Sequence, residues 1–112
     1  MKTKQIGNIG LGRAISHFTG LGYVVSLPLN DAQPYDLIVD DGLTLHKVSV
    51  KTTGRRGFKI RETGHGYTRP FDPTNADLLF LYRLGDKSYV MRTTDVTTRA
   101  EVTPKIAFEV EG

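Results

Sequence analysis

The stretch 35–52 is the strongest constraint on what this chain can fold into. YDLIVD (35–40) runs into Asp41-Gly42. Residues 44–52 then alternate, with Val48 and Val50 on one face and Lys47, Ser49 and Lys51 on the other. An Asp-Gly pair between two such runs predicts a β-hairpin. Strand side chains alternate faces, so a loop of even length pairs even positions with odd ones. Asp36, Ile38 and Asp40 then share a face with Leu45, Lys47, Ser49 and Lys51. An odd loop would send Asp36 to the opposite face. With the even loop, Asp36, Ser49 and Lys51 meet on two paired strands. That combination suits metal-assisted hydrolysis. The carboxylate holds a hard divalent cation, the lysine orients or deprotonates an attacking water, and phosphate fills the open metal positions.

Around this hairpin the pattern predicts a layered α/β (α+β) unit. Leu11, Ala14, Ile15 and Phe18 fall at i, i+3, i+4 and i+7, a helical stripe over 8–20 with Asn8 as N-cap and Gly20 or Gly22 as its stop. YVVSL (23–27) reads as a strand. Residues 53–75 are rich in Gly, Arg, Thr and Pro and read as a basic loop with a short strand at 57–61. ADLLFLYRL (76–84) is a continuous apolar run, hence a buried strand. KSYVMR (87–92) follows as a strand, then a short helix at 95–100 and a last strand, KIAFEV (105–110). The GxxGxG order at 7–12 follows no strand and is not a dinucleotide fingerprint.

Composition narrows the function. At 112 residues the expectation is one domain over 1–112. The absence of cysteine excludes disulfide scaffolds, thiolate zinc sites, iron–sulfur clusters and thiol nucleophiles. No apolar run approaches the ~18–20 residues of a membrane span, and the basic N-terminus lacks an apolar core, so a cytoplasmic protein without a membrane partner is expected. The net charge of +3 hides an asymmetry. Residues 47–69 hold Lys47, Lys51, Arg55, Arg56, Lys59, Arg61 and Arg69 against the single acid Glu62, a local charge of +6. Such a segment suits a phosphate backbone, and Lys47, Arg55, Arg56, Lys59 and Arg61 are the expected DNA contacts. Phe58 and Tyr67, interleaved with them, are candidates to stack on bases.

The stretch GYVVSLPLNDAQPYDLIVDDGLTLHKVSVKT (22–52) resembles the PD-(D/E)xK nuclease superfamily. It is most similar to the small branch that holds homing endonucleases and Holliday-junction-resolvase-like enzymes. The resemblance runs from about Gly10 to Thr53, with looser agreement at NADLLFLY and KSYVMRTTDV. It implies a restriction-endonuclease-like mixed β-sheet flanked by helices, Mg²⁺ (or Mn²⁺) as cofactor, and DNA as substrate. Asp36 matches the family aspartate and Lys51 the family lysine. Two positions depart: Ser49 stands where the family carries Glu or Gln, and the helix glutamate position falls near Leu11. A metal site would then rest on Asp36, the carbonyl of Val50 and water, with Asp40, Asp31 or a neighbouring subunit as further candidates and Gln33 beside it.

The expected function is a Mg²⁺-dependent DNA endonuclease of branched or site-specific DNA, in a bacterial or phage-infected cell. Its catalytic residues would be Asp36, Ser49 and Lys51. The alternative is a DNA-binding relative of the same fold that has lost its acids. A protein-interaction domain is the third reading, and the +6 segment speaks against it. Cutting two strands is simplest with two symmetry-related sites, so a homodimer or larger even-numbered homo-oligomer is expected, with KIAFEV or ADLLFLYRL as its exposed edges.

Overall fold

The computed structural model describes residues 2–30, 32–64 and 67–110. Helix α1 (Thr3–Gly20) starts five residues before the expected start at 8. Its cap is Lys2, whose N–H donates to Gln5 Oε1 at 3.0 Å, and Asn8 lies inside the helix. Ala14 and Phe18 are its buried anchors, with Leu11 and Ile15 packed at their sides. The helix stops where expected: Gly22 takes φ +84°, a left-handed conformation that glycine adopts without a Cβ clash.

The chain continues through β1 (Val24–Ser26), β2 (Leu37–Asp40), β3 (Leu45–Thr53), β4 (Phe58–Lys59), β5 (Glu62–Gly64), β6 (Tyr67–Arg69), β7 (Leu78–Arg83), β8 (Ser88–Arg92), β9 (Glu101–Val102) and β10 (Glu109–Val110). Six of these form one mixed sheet in the order β1-β2-β3-β7-β8-β10. Only β3 and β7 pair parallel. A parallel pair needs a long crossover, and residues 54–77 provide it. β7 accordingly has a residue of each core on alternate positions. Phe80 and Tyr82 join Ala14, Phe18, Leu37, Val39 and Val48 beneath α1. Leu79 and Leu81 join Phe58, Ile60, Phe71, Tyr89, Met91 and Val96 on the other face. That double burial is why its sequence is continuously apolar.

The α+β architecture with a mixed sheet is as expected, although among the described residues only one face carries an α-helix. Several local expectations are corrected. Residues 62–69 form a two-stranded hairpin inside the anticipated loop. Instead of a helix at 95–100 there is a 3₁₀ turn, Thr93–Asp95, followed by irregular chain that bends at 99–100. The backbone there is claimed by partners from elsewhere: Ala100 C=O accepts from Ile60 N–H at 2.9 Å and Arg99 C=O from Phe71 N–H at 2.8 Å. The last strand shrinks to β10, because residues 106–108 form a 3₁₀ turn that leaves Ile106 exposed. ADLLFLYRL is not an edge, since β7 lies between β3 and β8.

α1 meets β3 at Gly10. A Cβ there would come 1.8 Å from Thr52 Oγ1, so only glycine lets the helix sit this close. Gly10→Ala is expected to destabilise the protein by about 1–3 kcal/mol, the usual cost of overpacking, lowering the melting temperature by roughly 4–8 °C per kcal/mol. Thr52→Ala in the same chain should restore most of the loss. Thermal denaturation of the single and double variants checks both.

Candidate active site

The site is built on the β2–β3 hairpin. Asp40 pairs with Leu45 and Ile38 with Lys47, so the turn spans 41–44 and even positions face odd ones. Ser49 and Lys51 therefore turn away from α1, onto the face that carries Leu79 and Leu81. Asp36 sits just before β2, where the hairpin opens. Its N–H donates to Val48 C=O at 2.8 Å. Its Oδ2 accepts from Val50 N–H at 2.7 Å. The carboxylate is thus seated on the backbone link between Ser49 and Lys51. Its other oxygen has no hydrogen-bond partner among the described residues, and Asp36 borders an open cleft of about 540 Å³ lined also by Leu11, Pro28, Gln33 and Tyr35.

Ser49 is buried, with 8% of its surface exposed. It shares a narrow cleft with half-buried Lys51, Glu62 and Asn75 and with exposed Asp72. Lys51 also borders a wider, 770 Å³ cleft between the first turns of α1 and the β3–β4 connection, which Arg55 and Lys59 line as well. The structure therefore brings Asp36 to Val50, Ser49 to Lys51, and Lys51 to part of the basic segment.

That segment is not one patch. Lys59 and Arg61 border a further recess with Thr68 and Glu101. Arg56 belongs to a different edge, beside Arg83, Lys87 and Tyr89. Lys47 is half-buried, its ammonium 5.7 Å from the centre of the Tyr35 ring. Phe58 is fully buried and cannot stack on a base, whereas Tyr67 is half exposed under the Arg69 guanidinium at 4.6 Å. Arg83 holds the turn in shape: its Nε donates to Arg55 C=O at 3.0 Å and its Nη2 to Arg56 C=O at 2.5 Å. Neither Arg83 nor Glu62 is visible as a site residue in the sequence. The one hint is that Glu62 is the only acid in the basic run.

Other acids have structural duties. Asp40 Oδ1 accepts from Gly42 N–H at 2.8 Å. Asp41 binds His46 at 2.8 Å and receives the N–H groups of Leu43 and Thr44. The His46 bond, then those of Thr44 and Leu43, draws its pKa down to about 2. Asp31 and His65 lie outside the described residues. Among the described residues no three His, Cys, Asp or Glu side chains cluster as a metal cage.

Residues 1–66, more than half of the chain, match the model of a family described as PD-(D/E)XK endonuclease. The structure is similar to that of a bacterial homing endonuclease, I-Ssp6803I, with a TM-score of 0.81. The two sequences are 24% identical over 94% of this chain and 79% of that one. No curated protein sequence matches the chain. The shared fold, with the family match across α1 and the hairpin that carries Asp36 and Lys51, leads to one conclusion: this chain belongs to the PD-(D/E)XK endonuclease family.

Proposed function

We propose that residues 1–112 form one nuclease domain that cuts DNA with the help of a divalent cation. The observation that carries this reading is the seating of Asp36 on Val50 N–H, next to Lys51 on the same strand. The donor set fits a hard cation. Mg²⁺ binds through one or two carboxylates, keeps several waters and completes its shell with substrate phosphate. Asp36 keeps one carboxylate oxygen without a hydrogen-bond partner among the described residues and borders an open cleft, and Val50 C=O points to the same strand edge as its N–H. Asp36 and the Val50 carbonyl are the residues that would hold Mg²⁺ or Mn²⁺. The cation would supply charge neutralisation at the phosphate undergoing attack.

The chain's own groups do the rest. Lys51, flanked by Arg55 and Lys59 in one cleft, binds the phosphate backbone and holds a proton donor close to the hydrolytic water. Arg55, Lys59 and Arg61 extend that electrostatic contact, while Lys47 and Arg56 meet DNA at its margins. Such an enzyme would act on DNA in the cytoplasm of a bacterial or phage-infected cell, on a specific site or a branched junction.

A second reading has its own observation. Leu11 borders the Asp36 cleft, and Ser49 offers only a hydroxyl, so two positions that are acidic or amide in the family's pattern carry no charge here. A non-cleaving DNA-binding relative would look the same. Cleavage of linear and junction DNA in Mg²⁺ or Mn²⁺ separates the two. Asp36→Ala should lower the rate by about a hundredfold or more with DNA affinity nearly unchanged, since even groups that merely support a metal ligand are worth roughly 10–100-fold. If the natural chain cuts nothing and Leu11→Glu with Ser49→Glu creates activity, the binding reading stands.

DNA affinity should fall steeply with salt. Each phosphate contact contributes about 0.9 to the slope of log K against log salt. Replacing Arg55 and Lys59 together by Ala should flatten the slope by about 2, and Arg56→Ala should change it less. Titrations at several salt concentrations test this.

A homodimer or larger even-numbered homo-oligomer would place two such sites on two strands. Its surface is the β1 edge. Val24, Asp40 and Leu45 lie side by side by register, and both apolar residues are exposed. Leu27, Leu29 and Leu43 are exposed too. Light scattering should give an even multiple of the chain mass, and Val24→Lys with Leu45→Lys should reduce it to the monomer. A monomer at micromolar concentration with DNA present contradicts the assembly.

A further inference from the structure

The narrow cleft above Ser49 and Lys51 contains an acid that the hairpin does not provide. Glu62 enters from β5, across the basic crossover. Its carboxylate is held in place: Asn75 Nδ2 donates to both oxygens, at 2.8 and 2.7 Å, and Asp72 N–H donates to Oε1 at 3.3 Å. Asp72 itself is occupied, because its Oδ1 accepts from Thr74 N–H at 2.9 Å and Thr74 Oγ1 at 2.6 Å. Ser49 and Lys51 line the same cleft as Glu62. Among the described residues Ser49 Oγ makes no hydrogen bond, although the residue is only 8% exposed, and Lys51 forms no ion pair. Pro34, Ile60, Phe71 and Ala76 wall the space with apolar surface.

The enclosed volume is about 20 Å³, enough for one water molecule. A water there needs two to four polar partners, and three lining residues carry a suitable group: a carboxylate that accepts, an ammonium that donates, and a hydroxyl that does either.

We infer that Glu62, Ser49 and Lys51 together hold the water that attacks phosphorus, so that Glu62 supplies from the crossover the carboxylate that position 49 lacks. This rests on the nuclease reading above. In the step, the water oxygen forms the new bond to phosphorus and gives a proton to Glu62, which passes it to solvent. The bond from phosphorus to the leaving oxygen breaks with its electron pair, and that oxygen takes a proton from solvent water.

Glu62→Gln keeps the volume and an acceptor for Asn75 but removes the charge. Cleavage should drop about a hundredfold, the scale of a lost proton acceptor, while DNA affinity stays within about twofold. Adding Ser49→Glu, which aims a carboxylate into the same cleft, should return at least a tenfold gain over Glu62→Gln alone. A purely structural Glu62 would leave the rate unchanged in Glu62→Gln or would not respond to Ser49→Glu, and either result overturns the inference. A crystal structure of the unaltered chain gives a readout free of activity: an ordered water within hydrogen-bond distance of Ser49 Oγ, Lys51 Nζ and Glu62 supports it. A dry cleft, or a Glu62 carboxylate turned to solvent, overturns it. If the unaltered chain cleaves no DNA, the nuclease reading fails, and the assignment of the attacking water fails with it; should the unaltered chain cleave while Glu62→Gln is equally fast, only the inference fails.

Discussion

The four-residue turn after β2 sets everything that follows from the hairpin. Asp41 Oδ1 accepts from Leu43 N–H and Thr44 N–H, each at 2.8 Å, while Oδ2 binds His46 at 2.8 Å. Three contacts on one carboxylate lock the loop length, and loop length locks register. A slip of one residue would turn Ser49 and Lys51 into the core beneath α1 and push Val48 and Val50 out. The same register leaves Val50 N–H beyond the end of β2, where Asp36 takes it.

β3 then carries the load from both sides. On one face Thr52 rests against Gly10 of α1, so the helix lies flat on the strand. On its free edge β3 pairs parallel with β7, and Asp77 stitches the start of that pairing: its Oδ2 accepts from Lys47 N–H and its own N–H donates to Lys47 C=O, both at 2.8 Å. Parallel pairing demands a long crossover. The protein uses that obligatory connection as its basic surface and as the cover of its second core. Phe58, Ile60 and Phe71 point inward while Arg55, Lys59 and Arg61 remain outside. Topology and electrostatics are thus served by the same two dozen residues.

Burial decides which of those residues can act. Phe58 reads in sequence as an exposed aromatic among cations, yet together with Ile60, Phe71 and Val96 it covers the second face of the sheet, and it is fully buried. Arg83 reads as the polar end of a buried strand. In the fold its guanidinium lies over the Phe58 and Tyr89 rings, 5.4 Å from each centre, and caps the carbonyls of Arg55 and Arg56. Fixing that turn separates the two arginines, sending Arg55 toward the Lys51 cleft and Arg56 to another edge.

By itself the sequence determined the features that depend on near neighbours. The stripe of α1, the Asp-Gly hairpin, the alternation along β3 and the double burial of β7 all follow from periodicity. Asp36 and Lys51 could be matched because the motif lies within one hairpin. The start of α1, the 3₁₀ turns near the C-terminus and the β5–β6 hairpin were not legible: at 99–100 backbone partners from other segments outweigh weak local preference, and the others lack a strong periodic signal. Glu62 is the sharpest case. It reaches its cleft through Asn75, thirteen residues on, and faces Ser49 and Lys51 only because the crossover folds back over the sheet. Tertiary structure alone decided that meeting, since periodicity describes which face a residue takes on its own strand and carries no information about which distant strand or loop will lie against it.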